Sequence, residues 1–188
     1  MATAQDSLRR HRLSVDDYHR MGHAGIFAED ARVELIEGEL IDMSPIGSRH
    51  TGTVKFLSEL LRIAVGKLAL VSVQDPVVLG EHSEPEPDIA LLRRRADFYR
   101  DSHPQAGDVL LIIEVADSSL QSDRETKVPM YARHGIPEVW VVDVENNQLY
   151  VFHTPAEHGY RSERRIDAPR SFSVQTLPDV RVDLSDLF

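Results

Sequence analysis

The chain has 188 residues, 41% hydrophobic and 28% charged, which is enough for one well-packed domain and hardly enough for two. It contains no cysteine, which excludes disulfides, zinc–thiolate sites and thiol catalysis, and no apolar run approaching the ~20 residues that cross a bilayer. The formal net charge of −10 weighs against nucleic-acid binding, although arginines clump at Arg9, Arg10 and Arg12, at Arg93, Arg94 and Arg95, and at Arg161, Arg164 and Arg165. Residues 1–13 are polar and basic and read as a flexible tail, leaving a single domain over 14–188. The first residues hold no apolar h-region, so a soluble cytoplasmic protein is the expectation.

Ser14 and Asp17 form a capping box that opens a short helix to about Met21. VELI and ELIDM then flank a Glu-Gly pair as a β-hairpin. A helix is predicted from Ser48 to about Leu68, burying Val54, Leu57, Leu60, Leu61, Ala64, Val65 and Leu68. VSVQDPVVLG reads as a strand broken by Asp75-Pro76, near a sheet edge. The proline-laced EHSEPEP turns into the strand DIALL, and residues 93–107 form a loop or a short helix. VLLIIEV, SDRETKVPMYARH and EVWVVDV make a strand–helix–strand unit, which implies a parallel pair with a right-handed crossover. Both strands are almost continuously apolar and belong in the sheet interior. Asn146-Asn147 turns the chain into an antiparallel QLYVFHT, and the remainder reads as short edge strands.

Two acids interrupt this apolar pattern. Asp88 opens one strand and Glu114 lies toward the end of another, where an unpaired carboxylate is costly. If the strands are antiparallel neighbours, both acids converge on one rim, as a Mg²⁺ site with few protein ligands requires. Lys127, on the crossover helix, could orient a water or stabilise charge on a phosphate. Each has an ordinary alternative: Asp88 as a turn residue, Glu114 bonded to backbone amides, Lys127 as an exposed helix lysine. His50, after a glycine-containing loop, could contact a phosphate or act as a local acid or base, or simply bond to backbone. Gln74 could point into the cleft or cap a strand end, and Tyr131 could flank the site or pack in the core.

The stretches VELIEGELIDMSPIGSRH, EPEPDIALL, LLIIEVADSS and DRETKVPMYARHGIPEVWVVD, in this order, resemble the PD-(D/E)XK nuclease superfamily. More narrowly, they resemble the Uma family of putative restriction endonucleases, over roughly residues 14–184. The resemblance implies an α/β (α+β) restriction-endonuclease-like fold, a mixed central β-sheet flanked by helices. It also implies Mg²⁺-dependent phosphodiester cleavage, with Mn²⁺ as substitute. Asp88 and Glu114 would be the acidic metal ligands, and Glu34 an additional acid for which Glu37 and Glu39 compete. The superfamily's usual lysine position, two residues after the second acid, is Ala116 here, which makes Lys127 the candidate amine. Pro129 must then kink that helix or fall in its first turn. Asp123 matches the family's aspartate before the lysine, though a helix N-terminus alone accounts for it.

There is no phosphate loop, GxGxxG or HExxH motif, and Ser118-Ser119 lacks a nucleophile-elbow context. His19 and His23 are the one i, i+4 histidine pair, explained by a polar N-terminal helix. The leading expectation is a Mg²⁺-dependent endonuclease acting on DNA rather than RNA, for which a homodimer could present two sites to a duplex. The alternatives are a non-catalytic nucleic-acid- or protein-binding module that keeps the fold, and a small-molecule phosphohydrolase.

Overall fold

The computed structural model describes residues 10–188; positions 1–9 of the expected tail, Arg9 among them, lie outside the described residues. Residues 10–13 have no regular structure, but Leu13 N–H donates to the Gly38 carbonyl and Arg12 Nε to that of Glu37. At Gly38, with φ +85°, an added Cβ would stand 2.6 Å from Arg12 Cβ, so both the turn and the passing chain require glycine.

Helix α1 (Val15–His23) opens with the expected capping box between Ser14 and Asp17. The hairpin follows as β1 (Val33–Ile36) and β2 (Glu39–Asp42). Helix α2 (Ser48–Val65) buries Val54, Leu57, Leu61 and Val65. It stops at Gly66, φ +50°, earlier than the apolar stripe predicted, and Leu68 is left exposed.

The centre is a six-stranded sheet of β3 (Leu70–Val73), β4 (Ile89–Leu92), β5 (Val109–Ala116), β6 (Glu138–Asp143), β7 (Gln148–Ala156) and β8 (Gly159–Asp167), in that order. Only β5 and β6 are parallel, and they lie in the interior, as their unbroken apolar runs predict. Strand β3 is the edge next to Asp75-Pro76. The C-terminal strands differ from expectation. Strand β8 is nine residues long and forms the other edge of the main sheet. Strands β9 (Ser171–Val174) and β10 (Leu177–Asp183) form a separate hairpin.

Side chains alternate across the sheet, so it has two cores. Leu111, Ile113, Trp140 and Val151 pack with α2 and with Val174, Val180 and Val182 of the C-terminal hairpin. Ala90, Ile112, Val139 and Val141 pack on the other face against Ile36 of β1 and the crossover. The crossover is not the single helix the pattern suggested. It runs as a short helical piece, α3 (Leu120–Ser122), a wide turn over Asp123–Lys127, and α4 (Val128–Arg133). Val128 N–H donates to the Asp123 carbonyl, five residues back. Pro129 therefore falls at the start of α4, where a proline costs little because it has no N–H to offer.

Candidate active site

Strands β4 and β5 are antiparallel with Ile89 opposite Ile113, and extending that register sets Asp88 opposite Glu114. Alternation sends both side chains to the crossover face, with Ile112 and Ala116. Glu34 reaches the same place from β1, where it shares a face with Ile36. Lys127 comes from the crossover. These four side chains are only 8% (Asp88), 2% (Glu114), 4% (Glu34) and 8% (Lys127) exposed, so none is an ordinary surface charge.

The wide turn explains why one helical segment supplies several groups. Asp123, Lys127 and Tyr131 are spaced by four residues, and at 3.6 residues per turn such a series drifts around the helix. The wider turn between Asp123 and Lys127 counteracts that drift, and all three are buried. Lys127 Nζ lies 3.1 Å from Glu34 Oε1 and 3.4 Å from Glu114 Oε1. Tyr131 donates its hydroxyl to Glu114 Oε1 at 2.6 Å. Asp123 Oδ2 accepts from Ser119 Oγ, which accounts for that serine without a nucleophilic role.

Asp88 is held on every side. Its Oδ2 accepts from the Val115 amide at 2.8 Å and from His50 Nε2 at 3.0 Å, and its Oδ1 accepts from Gln74 Nε2 at 3.1 Å. Gln74 adopts φ +54°, uncommon for a residue with a side chain, and its own amide donates to the Asp88 carbonyl. Its backbone turn thus aims the side-chain amide back at Asp88. His50 stands in the first turn of α2 and reaches Asp88 across 38 residues of sequence rather than bonding to backbone.

Glu34, His50, Gln74, Asp88, Glu114 and Lys127 line a single cavity of about 270 Å³. Tyr131 stands behind Glu114. The two competitors of Glu34 lie elsewhere: Glu37 pairs with Arg133, and Glu39 is exposed beside Arg10. Sequence reasoning missed Arg32 and Glu86, which also line the cavity. Glu86 had a readable signal, since in EPEPD an extended backbone puts Glu84, Glu86 and Asp88 on one side. His19 bonds both Glu84 oxygens at 2.9 Å, which explains that histidine without His23. Arg161, Arg164 and Arg165 lie exposed on β8.

The electrostatics follow from burial. Glu114 is raised to about 8, first by burial and then by the charges of Asp123 and Asp88, which Lys127 and the Tyr131 hydrogen bond only partly offset. Asp123 and Glu86 are also raised, in both cases chiefly by burial. Burial opposes the charge on Lys127, but Glu114, Glu34 and Asp123 outweigh it and raise its pKa. The amine is therefore an ammonium. His50 is raised by its hydrogen bond to Asp88 against the opposing effect of burial.

Four buried carboxylates, Glu34, Asp88, Glu114 and Asp123, thus face one buried ammonium. Such a surplus of acidic groups suits a cation, which would displace the proton that burial keeps on Glu114. The donors are hard oxygens, and among the described residues no three His, Cys, Asp or Glu side chains are placed to hold one metal ion together. That set fits Mg²⁺, which takes one or two carboxylates and completes its shell with water and substrate oxygens, and it does not fit a tetrahedral zinc site.

Residues 15–185 match the model of the Uma2 family, described as "Putative restriction endonuclease". The crystal structure of a putative nuclease belonging to DUF820 from Anabaena variabilis superposes with a TM-score of 0.71 at 15% identity, covering 94% of this chain and 97% of that one. At that identity the likeness is one of fold. No curated protein matches the chain. Among the described residues no helix is long and apolar enough to cross a membrane.

Proposed function

The chain belongs to the Uma2 family of putative restriction endonucleases, and on that premise we propose that it hydrolyses phosphodiester bonds in DNA with the help of Mg²⁺. The observation that carries this reading is the convergence of Asp88, Glu114, Glu34 and Lys127 on one cavity that buries more carboxylate than cationic charge. Asp88 and Glu114 hold the cation, and Glu34 assists directly or through a water. Bound there, Mg²⁺ supplies Lewis acidity to the phosphate and lowers the pKa of a coordinated water. His50, Gln74 and the Val115 amide fix the rotamer of Asp88, so that ligand is in place before the cation arrives. Lys127 acts as a hydrogen-bond donor, orienting the attacking water or stabilising charge on the phosphate. It is not the base, because its carboxylate neighbours keep it protonated. A two-fold dimer would present one such site to each strand of a duplex.

The test is cleavage of DNA and RNA with Mg²⁺ or Mn²⁺ by the wild type and by Asp88→Asn and Glu114→Gln. Both variants are expected to fold and to lose metal-dependent cleavage to background. Calorimetry showing no divalent-cation binding by the wild type would sink the reading. One observation favours the non-catalytic alternative. Asp42 and Asp117 add two further acids to the lining of a cavity that must admit a polyanion, in a chain of charge −10. Metal-independent DNA binding that survives Asp88→Asn would establish that alternative.

A further inference from the structure

We propose that Tyr131 is a positioning residue: its hydroxyl pins one oxygen of Glu114 so that the other is presented to the cation. This rests on the nuclease reading above. The two oxygens of Glu114 are not equivalent. Oε1 takes the Tyr131 hydroxyl at 2.6 Å and has Lys127 Nζ at 3.4 Å. Oε2 has only a long contact, 3.5 Å from the amide of Asp88, and so lies on the side of the other acid. One oxygen is saturated by donors; the other keeps its lone pairs beside Asp88.

The two donors on Oε1 differ in stiffness. Lys127 divides its ammonium between Glu34 and Glu114 at the end of a flexible stem. Tyr131 is fully buried among Ile112, Met130, Val139 and Val141, so its ring cannot swing and its hydroxyl has one direction. A phenol keeps its O–H at neutral pH, so it remains a donor. Packing alone would be served by phenylalanine, and a buried hydroxyl is tolerated only where it is bonded. Without the hydroxyl, Glu114 is free to rotate and pair fully with Lys127, carrying Oε2 away from Asp88. The spacing Lys127-x-x-x-Tyr131 puts both donors on one face of the crossover.

Tyr131→Phe removes one oxygen and keeps every packing atom. The measurements are Mn²⁺ affinity by calorimetry without substrate, thermal unfolding with chelator, and cleavage rate against Mn²⁺ concentration. The variant is expected to bind Mn²⁺ about 10–100-fold more weakly, the range typical for groups that orient a metal ligand. Saturating Mn²⁺ is expected to restore most of kcat, with KM for DNA unchanged. A lower Tm with wild-type Mn²⁺ affinity would mean that the hydroxyl only stabilises the core, and would overturn the proposal while leaving the nuclease reading intact. A wild type that binds no Mn²⁺ would overturn the nuclease reading and this proposal with it.

Discussion

Glu114 and Glu138 are both buried carboxylates on the two central, parallel strands, yet they point to opposite faces of the sheet and meet opposite surroundings. Glu138 shares its face with Trp140. Its Oε1 accepts from Trp140 Nε1 at 2.8 Å and its Oε2 from the Gln175 amide at 2.7 Å. Two neutral donors saturate it and tie the C-terminal hairpin to the sheet. Glu114 instead meets Asp88, Asp123 and Glu34 at a cavity, with one ammonium among them. Burial raises the pKa of both, so a buried acid with a raised pKa is not by itself a mark of function. The difference is convergence with like charges, which a proton, the Lys127 ammonium or a bound cation must offset.

The largest expected effect comes from removing the single cation at Glu114. Lys127→Met leaves Glu34 and Glu114 buried without a counter-charge and is expected to cost about 3–5 kcal/mol in urea unfolding at pH 8. A loss under 1 kcal/mol would mean that the carboxylates there are already neutral. Glu138→Gln should cost less, about 1–3 kcal/mol, because the amide's NH₂ would face a backbone or indole donor. Its Mn²⁺ affinity should match the wild type; a change would break the separation between the two faces.

The last comparison concerns pH. The folded protein holds the Glu114 proton up to about 8, whereas the unfolded chain releases it near 4.5. Between those values the folded state binds more protons, so the stability of the metal-free protein falls as pH rises through that window. Glu114→Gln should flatten this dependence when urea midpoints are compared at pH 5 and pH 8.5 with chelator present. An equal slope in variant and wild type would show that another group, Glu138 included, dominates.

Much of this arrangement was legible in the chain. Strands buried on both faces read as unbroken apolar runs, so β5 and β6 and their crossover could be located, and an acid inside such a run stood out. Antiparallel pairing of β4 and β5 then implied that Asp88 and Glu114 meet. The partners of Asp88 were not legible. Its bonds to His50 and Gln74 join residues separated by 38 and 14 positions and depend on a positive φ at Gln74, which no spacing encodes. Glu86 escaped notice because the prolines around it read as a turn rather than as extended chain with its own alternation. The end of α2 was misplaced because Leu68 continues the apolar period, while Gly66 breaks the backbone that would carry it.

The sequence by itself determined the parallel core, the two opposed acids and the family, because local periodicity and ordered motifs survive in one dimension. Only the tertiary structure decided which of Glu34, Glu37 and Glu39 joins them and that the Lys127 amine reaches both Glu34 and Glu114. It also decided that Tyr131 and His50 serve the carboxylates. The contacts of Glu34, Lys127 and Tyr131 turn on the widened helical turn before Pro129 and on the packing of β1 against the crossover, and that of His50 on where α2 lies beside β4. Long-range packing sets such contacts, and no local pattern of residues reports it.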